Sequence, residues 1–571
     1  MPEARLSQSV SRVRLTPRIV GLSIALAFLA VHLATLPSTL EDLDSINFAM
    51  GVRDFDVARH QPHPPGYPVF IALSKVSTAA LRAAAVPSPE VRGLAIWGAI
   101  GGAILLLAAH AMFLGLVRDE WQATAGVALL ASSPLFWFTA LRPLSDVAGL
   151  AVAIAAVSAL VRALGWPGEA WTVERGRMLV WGAFVAGLAA GFRSQMAILT
   201  LPLLALTISL PGARVPGRAR VAAAAAWSAA VLLWAVPLVT ASGGAAAYLR
   251  ALTGQAGEDF AGVEMLWTAR SARVAVNALF HTAVLPWDSP VLAGIMLSLA
   301  AAGLALMTLR TSRAVLILAL VFGPYAVFHI LFQEAANLRY ALPLVPAVAF
   351  CAAVVLKEAR GTAGVVATGA LALLGLEQAV PAGLAFARTS SPVFAALSEM
   401  RLLEAQGARP VVAMHRRVST ETRRAREWSG GPPGTLLPAP RDYEWLEATR
   451  VMRNESQAEV WFLADPRRTD LALIDDEHRQ TRQYRWPFNA RVYVGSARPD
   501  VLDWHIYRAP GWFLEHGWAL TPETAGIADR EGWGPHRRPS VGWVRRRSGE
   551  TLMMIGGRHL GAATDPAVRV V

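Results

Sequence analysis

The sequence predicts an α-helical polytopic membrane protein with about eleven transmembrane helices, followed by an extracytoplasmic C-terminal domain of α/β or β-rich type. Three observations lead to this fold class. First, 54% of the 571 residues are hydrophobic and only 16% are charged, whereas soluble domains carry about 25% charged residues. Second, apolar stretches of membrane-crossing length recur between residues 19 and 376. Third, residues 391–571 contain no such stretch. The high hydrophobic content and low charged content exclude disordered, fibrous and ordinary cytosolic proteins.

The predicted helices follow from the length of the apolar stretches, since a helix must cross about 30 Å of hydrocarbon. Two stretches shorter than the others, 178–191 and 196–210, flank Arg193. The remaining predicted helices occupy residues 19–36, 93–117, 123–140, 147–161, 221–240, 291–309, 314–332, 341–356 and 362–376.

Arginines in alternate loops predict the orientation of the chain. Arg18, Arg118, Arg162 and Arg310 lie in loops that the positive-inside rule places in the cytoplasm. The segment Glu41-Asp-Leu-Asp44 follows the first apolar stretch, where a signal peptide would have a small-residue cleavage pattern. We therefore interpret this stretch as a membrane anchor.

This orientation divides the chain into three parts. Residues 1–18 are expected to form a cytoplasmic N-terminus. Residues 19–390 would form the transmembrane domain, in which residues 37–92 are the first external loop. Residues 391–571 would form the extracytoplasmic domain, at the outer face of a bacterial inner membrane.

The C-terminal domain contains patterns of both strand and helix. Residues 410–414 and 460–463 read as buried strands, residues 443–452 as a helix, and the stretch after Val501 as short strands between turns. Nine of the nineteen tryptophans lie here, among them Trp504, Trp512, Trp518, Trp533 and Trp543. Their rings suit sugar contacts, and core or membrane-interface packing is the alternative.

The charge and cysteine content exclude two further classes. The formal net charge of +12 is spread thinly, and the group at 545–547 suits a solvated or lipid-headgroup surface, so no nucleic-acid partner is expected. Cys351 is the single cysteine. A single cysteine excludes an intramolecular disulfide framework, a thiolate metal cluster and a CxxC redox motif.

The first external loop concentrates ionisable residues. Its carboxylates are Glu41, Asp42, Asp44, Asp54 and Asp56, and His60 and His63 follow among several prolines. This composition suits a rigid loop that holds charged groups at the membrane surface. A solvated loop with turn prolines is the alternative, chiefly for Asp54 and Asp56. The histidines could bind a metal ion together with the acids, but their spacing alone does not make a site.

Three arginines stand in short external loops, against the direction of the positive-inside rule. They are Arg142, Arg193 and Arg339. A cation at this depth usually has an anionic partner. Asp146, four residues after Arg142, and Glu334, five before Arg339, are protein candidates. The alternative is that the arginines converge on a phosphate, which guanidinium groups bind well.

These residues carry a resemblance to a known family. The run Asp44-Ser-Ile-Asn-Phe-Ala49, followed by His63-Pro-Pro-Gly-Tyr67, resembles the first external loop of the GT-C membrane glycosyltransferases. That superfamily includes the protein O-mannosyltransferases and the lipid A aminoarabinose transferase, and the histidine-proline version of the loop is similar to a bacterial branch. Arg92 matches an arginine that ends the loop, residues 142–146 resemble the second external loop, and Arg339-Tyr-Ala-Leu-Pro343 resembles an Arg-Tyr-x-x-Pro motif before a late helix.

The resemblance covers residues 19 to about 390 and implies a function. A polyprenyl-phosphate sugar would be the donor, and a protein, lipid or glycan hydroxyl the acceptor. Asp44 would be the catalytic base of an inverting, hexosyltransferase-type transfer. The residues implied in substrate binding are His63, Arg193, Arg339, Tyr340, Asp42, Tyr67, Arg92, Arg142 and Asp146.

Two positions differ from the pattern of the family. Ser45 occupies the second position of an acidic pair, and His63 stands where some relatives have a lysine that contacts the donor phosphate. The first difference argues against a paired-carboxylate mechanism and against a metal site built from two carboxylates, while a divalent metal ion as cofactor remains an alternative. The second difference implies that His63 or the arginines would bind the donor phosphate.

Two readings from other classes compete with the enzyme. A transporter or flippase of a lipid-linked glycan would need charged groups through the full membrane depth. The sequence instead places its ionisable residues at the external ends of the predicted helices. A membrane anchor that displays a sugar-binding domain would leave Asp44, His63, Arg193 and Arg339 without a reason to gather on one side.

Overall fold

The structure, a computed structural model, describes most of the chain up to residue 430 and separate segments beyond it. Residues 1–15, which include most of the predicted cytoplasmic N-terminus, lie outside the described residues, as do Trp533 and residues 546–547. The described residues are 16–211, 214–334, 336–359, 362–430, 435–437, 444–454, 458–466, 474–475, 477, 479–495, 500–514, 518–521, 526–529 and 541–545.

The chain folds as two compact units. The first comprises Met1–Phe394 together with Trp486–Asp500, and the second comprises Ala395–Arg485 and Val501–Val571. The short segment from Trp486 thus belongs to the first unit although it lies far along the sequence. No sequence pattern described above predicts this return.

The first unit is helical. Three short 3-10 helices, Val57–Arg59, Leu285–Trp287 and Leu338–Leu344, connect its α-helices. The α-helices before residue 394 are α1 (Pro17–Ala34), α2 (Leu43–Arg53), α3 (Pro68–Ala83), α4 (Pro89–Val117), α5 (Glu120–Ala131), α6 (Pro134–Thr139), α7 (Asp146–Leu164), α8 (Val173–Phe192), α9 (Met196–Ser209), α10 (Gly217–Ala241), α11 (Ala245–Gly262), α12 (Ala272–Ala283), α13 (Pro290–Arg310), α14 (Ser312–Phe332), α15 (Val345–Lys357) and α16 (Ala363–Arg388).

Eight helical segments in the described part of the chain are long and apolar enough to cross a membrane. The prediction of a polytopic α-helical membrane protein is therefore confirmed. The predicted helix at 123–140 is divided into α5 and α6, because Pro134 begins α6 and cannot continue the preceding helix. The stretches on either side of Arg193 form α8 and the shorter α9.

Helix α7 lies at the centre of the first unit, with 78% of its apolar segment buried. Helices α4, α8 and α9 pack against it. A Cβ at Gly101 of α4 would lie 2.8 Å from the Cα of Ala148, and one at Gly98 would lie 2.5 Å from the carbonyl oxygen of Ala140. These glycines allow α4 to approach α7 and the turn that precedes it closely.

The second unit contains a five-stranded sheet with the strand order β2-β1-β3-β5-β4. The strands β1, β2 and β3 are parallel, and β5 runs antiparallel to β3 and β4, with Phe462 opposite His505. The strands are β1 (Val411–Met414), β2 (Thr435–Leu436), β3 (Glu459–Ala464), β4 (Arg479–Arg485), β5 (Val501–Arg508), β6 (Trp512–Leu514), β7 (Trp518–Thr521), β8 (Gly526–Asp529) and β9 (Gly542–Val544).

Helices accompany this sheet, so the α/β prediction for the C-terminal region is confirmed. The predicted strands at 410–414 and 460–463 correspond to β1 and β3. The remaining helices are α17 (Pro392–Ala405), α18 (Arg416–Trp428), α19 (Glu444–Asn454) and, within the segment that returns to the first unit, α20 (Ala490–Tyr493).

The tryptophans of the second unit have different surroundings. Trp461 and Trp504 are fully buried, with ring centroids 4.8 Å apart in an edge-to-face contact. Such a pair stabilises a core through its buried area and ring geometry. Trp543 is 39% exposed. Core packing therefore accounts for Trp504, while the guanidinium carbon of Arg453 lies 5.3 Å from the ring centroid of Trp543.

Candidate active site

The start of α2 positions the first carboxylates of the candidate site. Asp42 caps the helix, its Oδ1 accepting a hydrogen bond of 2.7 Å from the Ser45 amide, and the Ser45 hydroxyl accepts one of 3.0 Å from the Asp42 amide. This reciprocal capping box fixes the first turn. Ser45, the residue that differs from the acidic pair of the family, thus has a structural role, and Asp44 projects from the same turn.

Arg142 is fully buried in the turn between α6 and α7. Its Nε donates to Glu41, and its Nη2 lies 3.2 Å from Oδ2 of Asp42. Its Nη1 donates to the carbonyl oxygen of Tyr493 at 3.4 Å. Partners from two distant parts of the sequence therefore hold this guanidinium, as a buried charge requires.

Arg339 and Arg193 extend the network from the other side. Arg339 pairs with Asp44, and its Nη1 lies 3.8 Å from a carboxylate oxygen of Asp42 and 3.8 Å from one of Asp146. Arg193 Nη1 lies 3.1 Å from Oδ1 of Asp146. The three external arginines thus lie in one network in which protein carboxylates are their partners, and their convergence on a phosphate stays a prediction.

The ring of Tyr340 lies between two of these cations. The guanidinium carbon of Arg193 is 5.4 Å from its centroid, and that of Arg339 is 5.2 Å away. Both distances suit a cation–π interaction. The carbonyl oxygen of Tyr340 accepts a 2.9 Å hydrogen bond from the Tyr325 hydroxyl. This contact fixes the 3-10 helix that carries Arg339 and Tyr340.

His63 and Tyr67 border the network near Asp44. His63 Nε2 is 2.9 Å from the Tyr67 hydroxyl, and its Nδ1 is 3.7 Å from Oδ1 of Asp44. Phe48 packs against both rings. Burial lowers the pKa of His63 although Asp44 opposes this shift, and burial also raises the pKa of Tyr67. At neutral pH His63 is therefore an uncharged hydrogen-bonding group.

Exposure distinguishes Asp44 from the other carboxylates. Its side chain is 21% exposed, whereas those of Glu41, Asp42 and Asp146 are 0%, 2% and 5% exposed. The three arginines are at most 5% exposed, and His63 is 16% exposed. Asp44 is therefore the carboxylate of this network that a substrate can reach.

The carboxylates of the network do not fit a divalent metal ion. Glu41 and Asp42 pair with Arg142, Asp44 pairs with Arg339, and Asp146 pairs with Arg193. Metal ligation would have to displace these cations. Among the described residues no group of three His, Cys, Asp or Glu side chains is arranged to hold a metal ion.

Other residues of the first external loop lie apart from the network. Asp54 and Asp56 pair with the exposed Arg59, as in a solvated loop. Arg92 lies in the first turn of α4, and its buried Nε has no hydrogen-bond partner within the described ranges. The role of Arg92 in substrate binding stays a prediction.

The structure pairs Arg142 with Glu41 and Asp42 instead of the suggested Asp146. The four-residue spacing would bring Arg142 and Asp146 together on a helix, but Arg142 precedes α7, which begins at Asp146. The contact with Tyr493 was also missed. Its available signal was the cluster of Trp486, Phe488 and Tyr493 within a few residues.

Glu41 predicts a pH dependence of stability. Burial raises its pKa from 4.5 to about 7, although Arg142 opposes the shift. Between these values the folded state binds more protons than the unfolded state, so stability falls as pH rises. We expect the apparent Tm of the wild type to fall relative to that of Glu41→Gln between about pH 5 and 8. Thermal unfolding in detergent measures this difference, and parallel curves would contradict the assignment.

No protein-family model and no curated protein matches the sequence. Among solved structures, the chain is similar to ArnT from Cupriavidus metallidurans bound to undecaprenyl phosphate, with 14% identity, 85% of this chain and 97% of that chain covered, and a TM-score of 0.46. The apo state of the same ArnT gives the same identity and coverage and a TM-score of 0.45.

A further similarity is to the oligosaccharyltransferase AglB from Archaeoglobus fulgidus, in complex with an inhibitory peptide and a dolichol-phosphate. The identity is 13% over 75% of this chain, with a TM-score of 0.45, and the chain spans 61% of the AglB length.

Proposed function

We propose that the protein is an inverting glycosyltransferase of the hexosyltransferase type, which transfers a sugar from a polyprenyl-phosphate donor to an acceptor hydroxyl. The reaction would take place at the outer face of a bacterial inner membrane. One observation carries the proposal: Asp44 is an accessible carboxylate at the edge of an otherwise buried network that contains three arginines.

Asp44 suits the role of general base. A hydroxyl is a poor nucleophile, and a positioned carboxylate that accepts its proton in the transition state accelerates attack. The acceptor oxygen forms a bond to the anomeric carbon while the bond from that carbon to the phosphate oxygen breaks. The hydroxyl proton moves to Asp44. A single displacement of this kind inverts the configuration at the anomeric carbon.

The cations beside Asp44 suit the leaving group. Negative charge develops on the departing polyprenyl phosphate, and fixed cations stabilise such charge strongly where water is scarce. Arg339 contacts Asp44 and also flanks the Tyr340 ring together with Arg193. His63, uncharged and near Asp44, adds a hydrogen-bonding group. The donor phosphate would therefore bind beside Arg193, Arg339 and His63, with the sugar facing Asp44.

The remaining residues of the network have supporting roles. Asp146 would bridge Arg193 and Arg339 and keep both guanidinium groups in fixed positions. Asp42 caps α2 and pairs with Arg142, so it would fix the helix turn from which Asp44 projects. Tyr67 would orient the His63 ring through their hydrogen bond.

Sugar transfer in proteoliposomes tests the proposal. The purified full chain is incubated with a panel of radiolabelled polyprenyl-phosphate hexoses and polyprenyl-phosphate aminoarabinose, and both product and free polyprenyl phosphate are measured. We expect release of polyprenyl phosphate from at least one donor, and none from protein-free liposomes. Transbilayer movement of labelled donor without its consumption would refute the enzyme and indicate a lipid-linked glycan transporter.

A further inference from the structure

A cavity of about 270 Å³ lies between α1, α4 and α7, apart from the candidate active site. Gly21 of α1, Leu107 and His110 of α4, and Arg162 of α7 line it. Asp146 begins α7 and Arg162 lies sixteen residues further on. At 1.5 Å per residue this places the cavity roughly 24 Å along the helix from the active site, toward the opposite face of the membrane.

Leu22, Leu107, Ala111 and Leu114 give the cavity an apolar wall, and Gly21 packs closely against His110. A Cβ at position 21 would lie only 3.3 Å from Cδ2 of His110. Leu22 and Leu107, which line the cavity, are 47% and 44% exposed. Exposed leucines on membrane-spanning helices contact hydrocarbon. The cavity therefore opens beside a surface that suits an acyl chain.

Two arginines give the same cavity a positive end. Arg18 pairs with Glu120 at 2.7 Å, but the two side chains are 70% and 34% exposed. An exposed pair of this kind is weak and leaves the guanidinium available to another anion. Arg162 is exposed and has no ion pair or hydrogen bond with any side chain that the structure describes. The cavity thus has two available cations and one competing carboxylate.

We propose that this cavity binds one anionic glycerophospholipid of the cytoplasmic leaflet. The arginines at its end, Arg18 and Arg162, would bind the phosphodiester, since guanidinium groups donate paired hydrogen bonds to phosphate oxygens. The apolar wall formed by Gly21, Leu22 and Leu107 would contact an acyl chain. Basic pockets between transmembrane helices on the cytoplasmic side bind anionic headgroups in this way. This site is independent of the proposed glycosyl transfer.

Native mass spectrometry of the full chain in detergent tests the proposal. The probes are phosphatidylglycerol and phosphatidylethanolamine with the same acyl chains. We expect the wild type to retain one phosphatidylglycerol in preference to phosphatidylethanolamine. Each of Arg18→Gln and Arg162→Gln should lower retention about fivefold, and the double variant on the order of twentyfold.

Two further variants separate a specific site from general surface charge. Arg218→Gln removes an exposed arginine at the start of α10 and should leave retention unchanged. Ala111→Phe keeps the arginines but fills the cavity, which Ala111 lines. This variant should lower lipid retention as strongly as the double arginine variant does. Equal retention of the two lipids, retention by the double arginine variant or by Ala111→Phe, or an equal loss in Arg218→Gln would overturn the proposal.

Discussion

Asp44→Asn is expected to lower sugar transfer by about 10²–10⁴-fold, the usual contribution of a general base. An asparagine amide keeps the shape of the side chain but does not accept the acceptor proton. The substitution also weakens the contact with Arg339, so donor binding must be measured separately. We expect binding of the polyprenyl-phosphate sugar to be largely retained, while the turnover rate in proteoliposomes collapses.

Asp54→Asn is the matched control for this prediction. Asp54 lies in the same external loop, but its side chain is 69% exposed and pairs with Arg59 outside the network. The same chemical change there should leave transfer close to the wild-type rate. Undiminished transfer by Asp44→Asn would remove Asp44 from the role of base and direct attention to Asp42 or Asp146.

Arg142→Met is expected to destabilise the protein by about 3–5 kcal/mol, the usual cost of removing one partner from a buried ion pair. Arg142 and Glu41 are fully buried, so the change leaves Glu41 without its paired cation in a site that water does not reach, while Asp42 keeps the 3.8 Å contact with Arg339. Thermal unfolding in detergent should show a large fall in apparent Tm, and transfer should fall with it because the start of α2 loses its support.

Two variants show whether the buried charge is the cause. Arg310→Gln breaks the exposed pair with Glu358, whose side chains are 57% and 48% exposed, and should cost about 1 kcal/mol or less. Combining Arg142→Met with Glu41→Gln removes one buried negative charge and should restore part of the lost stability. An apparent Tm for Arg142→Met as high as that for Arg310→Gln would contradict the prediction.

The sequence was informative about the fold because hydrophobic length is a property of local composition. Eleven apolar stretches were readable, and all of them are helical in the structure. The break between α5 and α6 at Pro134 was readable in principle from proline chemistry. The return of Trp486–Asp500 to the first unit could not be predicted, because local sequence does not specify a partner hundreds of residues away.

Most residues of the buried network stood out in the sequence, but their pairing did not. Arg142, Arg193 and Arg339 stood out because each lies in a loop that the sequence predicts to be external, where cations are uncommon. Which carboxylate each one contacts depends on the packing of separate helices. Glu41 was visible as one of several acids in the loop, yet its contact with Arg142 spans 101 positions of sequence.

The contacts of Arg142 limit where the chain can be truncated or joined to another protein. The carbonyl oxygen that it contacts belongs to Tyr493, 351 positions later, and the Tyr493 hydroxyl donates to Asp288 at 2.7 Å. Tyr493 lies in the connection between β4 and β5, two strands that pair with each other. A chain shortened after residue 390, or a chimera that exchanges everything beyond it, would lack a ligand of this arginine. The helical part and the C-terminal part of the chain therefore have to be exchanged and expressed together.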